Sequence, residues 1–399
     1  QLFGRTYVSR SKKHNIPGVR MLNKKEIDAI EPNTRSWAVG ALYAPTTGAV
    51  SPYKLTIAYA ENACQNGAIV SFDTIVTDIV RNGDEIIKVT TNRGEIIPKV
   101  VINCAGVFAD KIAEMAGDKF YSIHPRKGTD LIMDGKVSNQ IAHNSISRAP
   151  TLKMLMGENR NTKGGGIVVT VDGNILIGPD AVETPLCEDI STTAENIKKV
   201  IAKQQNITDG LRQSDVIAYF SGVRAANYEE DFIIEPSKKV RNFVHAACIQ
   251  SPGLTASPAI GEDVAKMAVD ILKKQQIVEY NSNFNPNRKD IPHLKKMSDK
   301  ERDLLIKSNA DYGKILCRCE EVSLGEIKDA IHSNPPALTV DAVKRRVRAG
   351  MGRCQGGFCQ PLVMQTLAEE LNIDETQVRK GDIGSNLAVG YNKDIYIEQ

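Results

Sequence analysis

Four cysteines near the C-terminus constrain this 399-residue chain more than any other feature: Cys317 and Cys319 in C-R-C, then Cys354 and Cys359 in C-Q-G-G-F-C. Two close pairs separated by a helical spacer can converge. A [2Fe–2S] cluster needs that supply, with two thiolates on each iron. The flanks agree. Ser323 and Glu326 have capping-box spacing and predict a helix with Leu324, Ile327, Ala330 and Ile331 along one face. Thr339 predicts the cap of a second helix, ended by Gly350 and Gly352. Cys359 falls just before a third helix, with Pro361 in its first turn. A cluster held by four thiolates is anionic, and Arg318, Lys344, Arg345, Arg346, Arg348 and Arg353 bring positive charge to the same segment. Structural zinc competes, since it also takes four cysteines, although its sites more often use C-x2-C pairs. Disulfides are the third reading. They need an oxidising compartment, and here four other cysteines are scattered and no secretory signal is recognisable.

The length allows two or three domains with an ample core. A net charge of +3 is too small to argue for nucleic acid. No apolar run reaches membrane-spanning length. The longest uncharged stretch, Val244 to Gly261, is broken by Ser, Pro, Gly, Gln and His. The chain therefore reads as cytoplasmic, without a direct membrane span.

Along the chain, residues 1–60 mix short helices and turns. A helix is predicted after Ser51, with Pro52 at its first position and Gly67 past its end. Strand-like runs follow at Ile69–Phe72, Thr74–Val80, Glu85–Thr91 and Glu95–Pro98, with turns at Asn82-Gly83 and Asn92–Gly94. Lys99–Asn103 reads as a buried strand closed by Cys104-Ala105-Gly106, with a helix from near Val107. Further strands fill residues 118–245 around one helix, Thr193 to Ile201. Phe243–Ile249 is another buried strand, running into a loop, S-P-G-L-T-A-S-P, that feeds a helix. Residues 281–311 are polar and rich in Pro and Asn and read as a linker, with a short helix capped by Ser298 and Glu301. After 372 a polar tail with short strands is expected.

Three segments carry further chemistry. V-I-N-C-A-G-V-F-A-D at 101–110 is strand, small-residue turn and helix, which lets backbone approach a ligand and offers N–H groups to an anion. The reading as plain strand–turn–helix packing is equally open. In the 251–258 loop, Gly253 permits positive φ, and loop N–H groups could meet a carbonyl or anion. S-G-V-R-A-A-N at 221–227 sets Arg224 among small residues, where a guanidinium could clamp a carboxylate or phosphate or simply pair structurally.

The cysteine segment, roughly 315–372, resembles the bacterioferritin-associated-ferredoxin-like (BFD-like) [2Fe–2S] domain. H-P-R-K-G-T-D-L-I-M-D, V-I-N-C-A-G-V-F-A-D, T-V-D-G-N-I-L-I-G-P-D-A, Y-F-S-G-V-R-A-A-N and I-Q-S-P-G-L-T-A-S-P-A-I stand in the order of the FAD-dependent DAO-type oxidoreductases. With the cysteine domain attached, the chain most resembles the large-subunit family of anaerobic glycerol-3-phosphate dehydrogenases. The resemblance implies a mixed α/β fold of the FAD-binding DAO/glutathione-reductase-like class, with an antiparallel-sheet substrate domain and a small helical [2Fe–2S] domain. It divides the chain into 1–280 (oxidoreductase), 281–311 (linker), 312–372 (cluster domain) and 373–399 (tail). It implies that Ala105 and Gly106 line FAD, and that the backbone of Ser251, Gly253, Leu254 and Thr255 holds the isoalloxazine edge. Gly222, Val223 and Arg224 would face flavin and substrate, with Arg224 as anion clamp. Lys127 and Gly128 would border the same cavity, and Asp172 and Gly173 a nearby turn.

Three departures accompany it. Gly128-Thr129-Asp130 replaces an aromatic-containing turn, and the strand 168–174 differs from the family's, so the substrate is left open. The family's opening strand, G-x-G-x-x-G and helix, which cradle the pyrophosphate, are missing. The nearest glycines, Gly350, Gly352 and Gly356, follow a helix and surround Cys354. The expectation is an N-terminally truncated flavoprotein lacking a βαβ unit of about 30 residues or more, with weak FAD binding or none as given.

The expected reaction is hydride transfer from a secondary alcohol, glycerol 3-phosphate or a similar small anion, to FAD. Electrons then leave singly through the cluster to a redox partner protein or quinone-linked subunit. His124 and Lys127 are candidate bases by position. Oxidation of L-2-hydroxyglutarate or of another 2-hydroxy or amino acid is a second reading. A non-catalytic, cluster-carrying electron-transfer protein is a third. Peripheral membrane attachment through a partner and assembly into an oligomer are left open.

Overall fold

The computed structural model describes residues 2–149 and 165–392. The last residues of the expected tail lie outside this set. The chain forms two compact units, residues 1–50 with 74–280, and residues 51–73 with 281–399.

The strands of the first unit, in chain order, are β1 (Arg20–Asn23), β2 (Gly40–Tyr43), β3 (Val76–Asn82), β4 (Glu85–Thr91), β5 (Gly94–Ile96), β6 (Val101–Asn103), β7 (His124–Met133), β8 (Ile146–Ser147), β9 (Gly166–Val169), β10 (Ile175–Gly178), β11 (Val182–Glu183), β12 (Val216–Ala226), β13 (Ile233–Pro236) and β14 (Phe243–Ala247). β3, β4 and β5 form an antiparallel meander. β14 pairs parallel with β6 and antiparallel with β13. All five residues of β14 are buried, as a strand covered on both faces requires.

The largest sheet is antiparallel, in the order β11-β7-β10-β9-β8, with β12 running along the other edge of β7. Leu131 and Met133 of β7 join Ile167, Ile175 and Ile177 in one core, closed by Val200 and Ile201 of the helix Ala194–Gln205. Thr193 Oγ1 caps that helix by accepting from Asn196 N at 3.1 Å.

In the second unit β15 (Ile315–Cys317) pairs with β16 (Val322–Ser323), and Ser323 and Glu326 form the expected capping box, both buried. The helices Leu324–Ile331, Val340–Val347 and Gln360–Leu371 enclose a core of Ile327, Ile331, Val343, Val347, Val363 and Leu367. Thr339 caps the second and Cys359 precedes the third. Ser298 and Glu301 form a capping box on Asp299–Ser308. The stretch after 372 is largely exposed but anchored: Val378 joins the core, and the carbonyls of Arg379 and Lys380 accept from Val340 N and Asp341 N. The helix Pro52–Gln65 is held to the Asn-rich 281–290 segment by side-chain amides, Asn66 Nδ2 donating to Asn285 O at 2.9 Å and Asn66 Oδ1 accepting from Asn285 N at 2.8 Å.

Four local expectations need correction. Ile69–Phe72 is no strand; Ile69, Val70 and Phe72 are exposed. The S-P-G-L-T-A-S-P segment is helix from Gly253 onward, within Gly253–Lys273. Gly253 is needed there because a β-carbon would collide with Ile249, not for positive φ. The helix after Thr339 ends at Val347, with Arg348 taking the left-handed C-cap at φ 68 before either glycine is reached. Ser51 holds the N-cap position of its helix, but its side chain makes no cap bond.

Candidate functional site

Parallel β6 and β14 end side by side, so the turns after Asn103 and Ala247 leave the same edge of their sheet. Ligands of α/β sheets lie outside such strand ends. Asn103 braces the first turn by donating from Nδ2 to Ala109 O at 2.8 Å, and Tyr121 Oη donates to the same carbonyl. Tyr121 also contacts buried His245 Nδ1 at 3.2 Å, whose Nε2 meets Asp118 Oδ2 at 3.0 Å. The turn Gly106–Phe108 packs against β12, the strand that carries Gly222 and Val223. Gly106 has φ +58, and an added β-carbon there, or at Gly222, would meet only open space. Ser251, Gly253, Leu254 and Thr255 lie at the second turn, where their helix starts and packs on β13 and β14.

β7 and β12 pair with Gly128 opposite Gly222 and Arg126 opposite Arg224. Side chains alternate across a sheet, so Arg224, Gly222, Gly128 and Asp130 share one face. The missing β-carbon of Gly128 leaves the space that the Arg224 guanidinium fills. Arg224 Nη2 donates to Asp180 O at 3.2 Å, while its Nη1 is buried without a partner. Burial lowers the Arg224 pKa against the pull of Asp130 and Asp180. Asp130 Oδ1 is also buried and unpartnered, and burial pushes its carboxyl up to about 6 despite Arg224.

The two bases suggested by position are engaged. Lys127 points to the opposite face, where Nζ meets Asp189 Oδ2 at 2.7 Å and Ser191 Oγ at 3.1 Å. Lys127 in turn holds the Asp189 carboxyl well below its ordinary range. His124 lies on the Arg224 face but pairs through Nδ1 with Glu183 Oε2 at 3.1 Å, its ring 4.5 Å from that of Tyr228. Arg126 is fully buried and bound to Glu183 and Glu230.

Asp130, Asp180 and Gln250 were not singled out for roles in the sequence. Gln250 donates to Glu230 Oε2 at 2.8 Å and leaves its own Oε1 buried and unpartnered beside the Ser251 turn. Asp130 stood inside a noted departure from the family pattern, which was the available signal.

The eight cysteines are free. Cys319 and Cys354 place their sulfurs 3.6 Å apart, and Cys317 and Cys359 share a hydrogen bond. Among the described residues no three His, Cys, Asp or Glu side chains converge as a single-metal site. Two pairs suit two irons, whereas zinc needs all four thiolates around one point. The bond from Cys359 brings the Cys317 thiol down to about 6 against burial, helped by the N–H groups of Gly350 and Glu320. Burial opposes ionisation of Cys354, but a bond from Cys319 and the N–H groups of Gly356, Phe358 and Gly357 outweigh it. Such N–H donors also stabilise thiolates on a cluster. Of the expected basic residues, Arg348 pairs with Glu320 at 2.8 Å, and Arg346 instead holds the 333–335 turn through Ser333 Oγ and Pro335 O.

Residues 2–267 match the family of FAD dependent oxidoreductases called DAO. The chain belongs to this family. Residues 315–369 match the BFD-like [2Fe–2S] binding domain. Both resemblances drawn from the motifs are thereby borne out, as is the mixed α/β fold. A glycerol 3-phosphate dehydrogenase of Caloramator mitchellensis is 39% identical over 380 residues, 95% of this chain and 76% of that protein. The glycerol 3-phosphate oxidase of Mycoplasma genitalium is 30% identical over 289 residues, 69% of this chain and 71% of that protein. The solved glycerol-3-phosphate dehydrogenase of Bacillus halodurans, complexed with FAD, superimposes with a TM-score of 0.65 at 17% identity, covering 89% of this chain and 76% of that one, and carries the fold comparison.

For this FAD-dependent oxidoreductase the residues present fit the flavin end of the cofactor, while the G-x-G-x-x-G expected to cradle its pyrophosphate is not in this sequence. The turn and strand glycines at 106 and 222 leave bare surface, and Gln250 Oε1 is a buried acceptor still to be satisfied. The paired cysteines fit the cluster. Among the described residues no helix is long and apolar enough to cross a membrane.

Proposed function

We propose that this chain is a dehydrogenase that oxidises glycerol 3-phosphate to dihydroxyacetone phosphate and passes the electrons on through its [2Fe–2S] cluster. The observation that carries the substrate class is the buried, unpartnered Nη1 of Arg224 on a floor of glycines, a donor awaiting an anion. The names of the relatives support phosphate as that anion. Ala105, Gly106, Gly222, Val223 and the backbone of Ser251, Gly253, Leu254 and Thr255 would hold FAD, which when bound accepts a hydride. Arg224 would fix the substrate's anionic end and so orient its alcohol carbon. Cys317, Cys319, Cys354 and Cys359 would hold the cluster, a one-electron carrier. That carrier argues that the acceptor is a redox partner protein or a quinone-linked subunit, with any membrane attachment made through the partner.

Anaerobic addition of glycerol 3-phosphate to the FAD-loaded chain should bleach the flavin bands and then produce the paramagnetic signal of a reduced [2Fe–2S] cluster. Bleaching by L-2-hydroxyglutarate in its place would move the substrate, and no bleaching by any small anionic alcohol would overturn the reading.

A further inference from the structure

We propose that the Asp130 carboxylate is the base that takes the hydroxyl proton of the substrate. The proposal rests on the reading of the substrate as a small anionic alcohol held by Arg224.

Arg224 and Asp130 each bury one polar atom without a partner, a donor Nη1 and an acceptor Oδ1, on one face of the β7–β12 pair. Buried polar groups are otherwise satisfied almost everywhere in folded proteins, so an oppositely matched pair on one face points to a ligand that completes both. A molecule with an anionic group and a neighbouring hydroxyl does so: the anion accepts from Arg224 and the hydroxyl donates to Asp130. Two glycines make the room that these two side chains occupy. A β-carbon on Gly178 would stand 2.5 Å from Asp130 Oδ1, and one on Gly128 would collide with the Arg224 guanidinium.

The other proton acceptors nearby already hold a partner or lie elsewhere. Asp180 accepts from Thr129 N through Oδ1 at 2.7 Å, His124 is paired with Glu183, and Lys127 is on the opposite face. The charged groups that bear on Asp130 are Arg224 and Asp180, with Arg126 coupled to Arg224. Burial sets the carboxyl near 6, ionised at neutral pH and more basic than an exposed aspartate. In the step, the substrate O–H bond breaks and its proton goes to Asp130. The carbinol hydrogen would leave with its bonding pair as hydride, which FAD when bound would accept, and the C=O bond forms. Asp130 then releases the proton to water.

The test compares wild type, Asp130→Asn and Asp130→Glu as FAD-loaded full chains. The rate of flavin bleaching is followed in rapid mixing from pH 5 to 9. Asp130→Asn should lower the maximal rate at least about 100-fold and lose the rise near pH 6, and Asp130→Glu should recover part of both. Sulfate, an anion that neither reacts nor titrates here, reads Asp130 without turnover through its perturbation of the flavin spectrum. It should bind wild type several-fold more tightly below pH 6 than above, and bind Asp130→Asn tightly throughout. An unchanged rate, a rise in KM at unchanged kcat, or pH-independent sulfate binding in wild type would overturn the proposal. Failure of glycerol 3-phosphate alone sinks only the choice of substrate; the comparison is then made with the alcohol that does bleach the wild type, and if none does, the proposal falls too.

Discussion

Cys319 and Cys354, 35 residues apart in the chain, bring their sulfurs to 3.6 Å, one from the turn after β15 and one from the glycine-rich turn before the last helix. Gly352 makes this approach possible, since a β-carbon there would collide with Cβ of Cys319. Cys354→Ser should cut iron from about two atoms per chain to a small fraction while FAD content is unchanged. Gly352→Ala should do the same with all four cysteines intact. Iron analysis of the two variants checks both, and zinc in place of iron in the wild type would undo the assignment.

Arg224→Met removes the donor proposed to hold the substrate anion but keeps the side chain's length. Losing a charge-assisted hydrogen bond of about 1.5–3 kcal/mol should raise KM about 10- to 100-fold with FAD still bound. Gly128→Ala should act in the same direction by displacing the guanidinium from its groove. Steady-state kinetics separates the outcomes, and an unchanged KM in Arg224→Met would remove the residue from the site.

Asp130 also predicts a pH signature in stability. Its carboxyl is raised from the ordinary 3.8 to about 6 in the folded chain, so between those values the folded state binds more protons than the unfolded one. Stability from this group is therefore lost as pH rises from about 4 to 6 and stays lost above. Asp130→Asn should be more stable than wild type at pH 8 by up to about 3 kcal/mol, with the difference vanishing near pH 4. Urea unfolding at the two pH values measures it. A stabilising change that abolishes turnover is what a strained functional group leaves behind when replaced.

Deletion of the chain after Asn372 should release the cluster domain, because Val378 fills its core and two carbonyls following it cap the start of Val340–Val347. Val378→Ala alone should cost about 2 kcal/mol. Loss of cluster absorbance with urea gives the midpoint, which should fall in Val378→Ala and further in the deletion.

Much of this was open to reading from residue order. The boxes at Ser323–Glu326 and Ser298–Glu301 and the cap at Thr193 involve partners three residues apart, so type and spacing suffice. Glu85–Thr91 declared itself by flanking turns and β-formers, and the two family resemblances by motif order. Helix entry at Gly253 was read as loop because Pro252, Gly253 and Pro258 are all breakers, yet packing against β13 and β14 holds the turn helical.

Local chemistry could supply the cysteine spacing, the caps and the arginine among small residues, because each depends on neighbours within a turn or two. It could not say that Lys127 faces away from Arg224, since that parity follows from a register between strands nearly a hundred residues apart. Nor could it mark Asp130 as the unpartnered carboxylate: its burial depends on a glycine from another strand, its coupling on an arginine from a third. Desolvation and pairing act through space, and only folding brings those partners together.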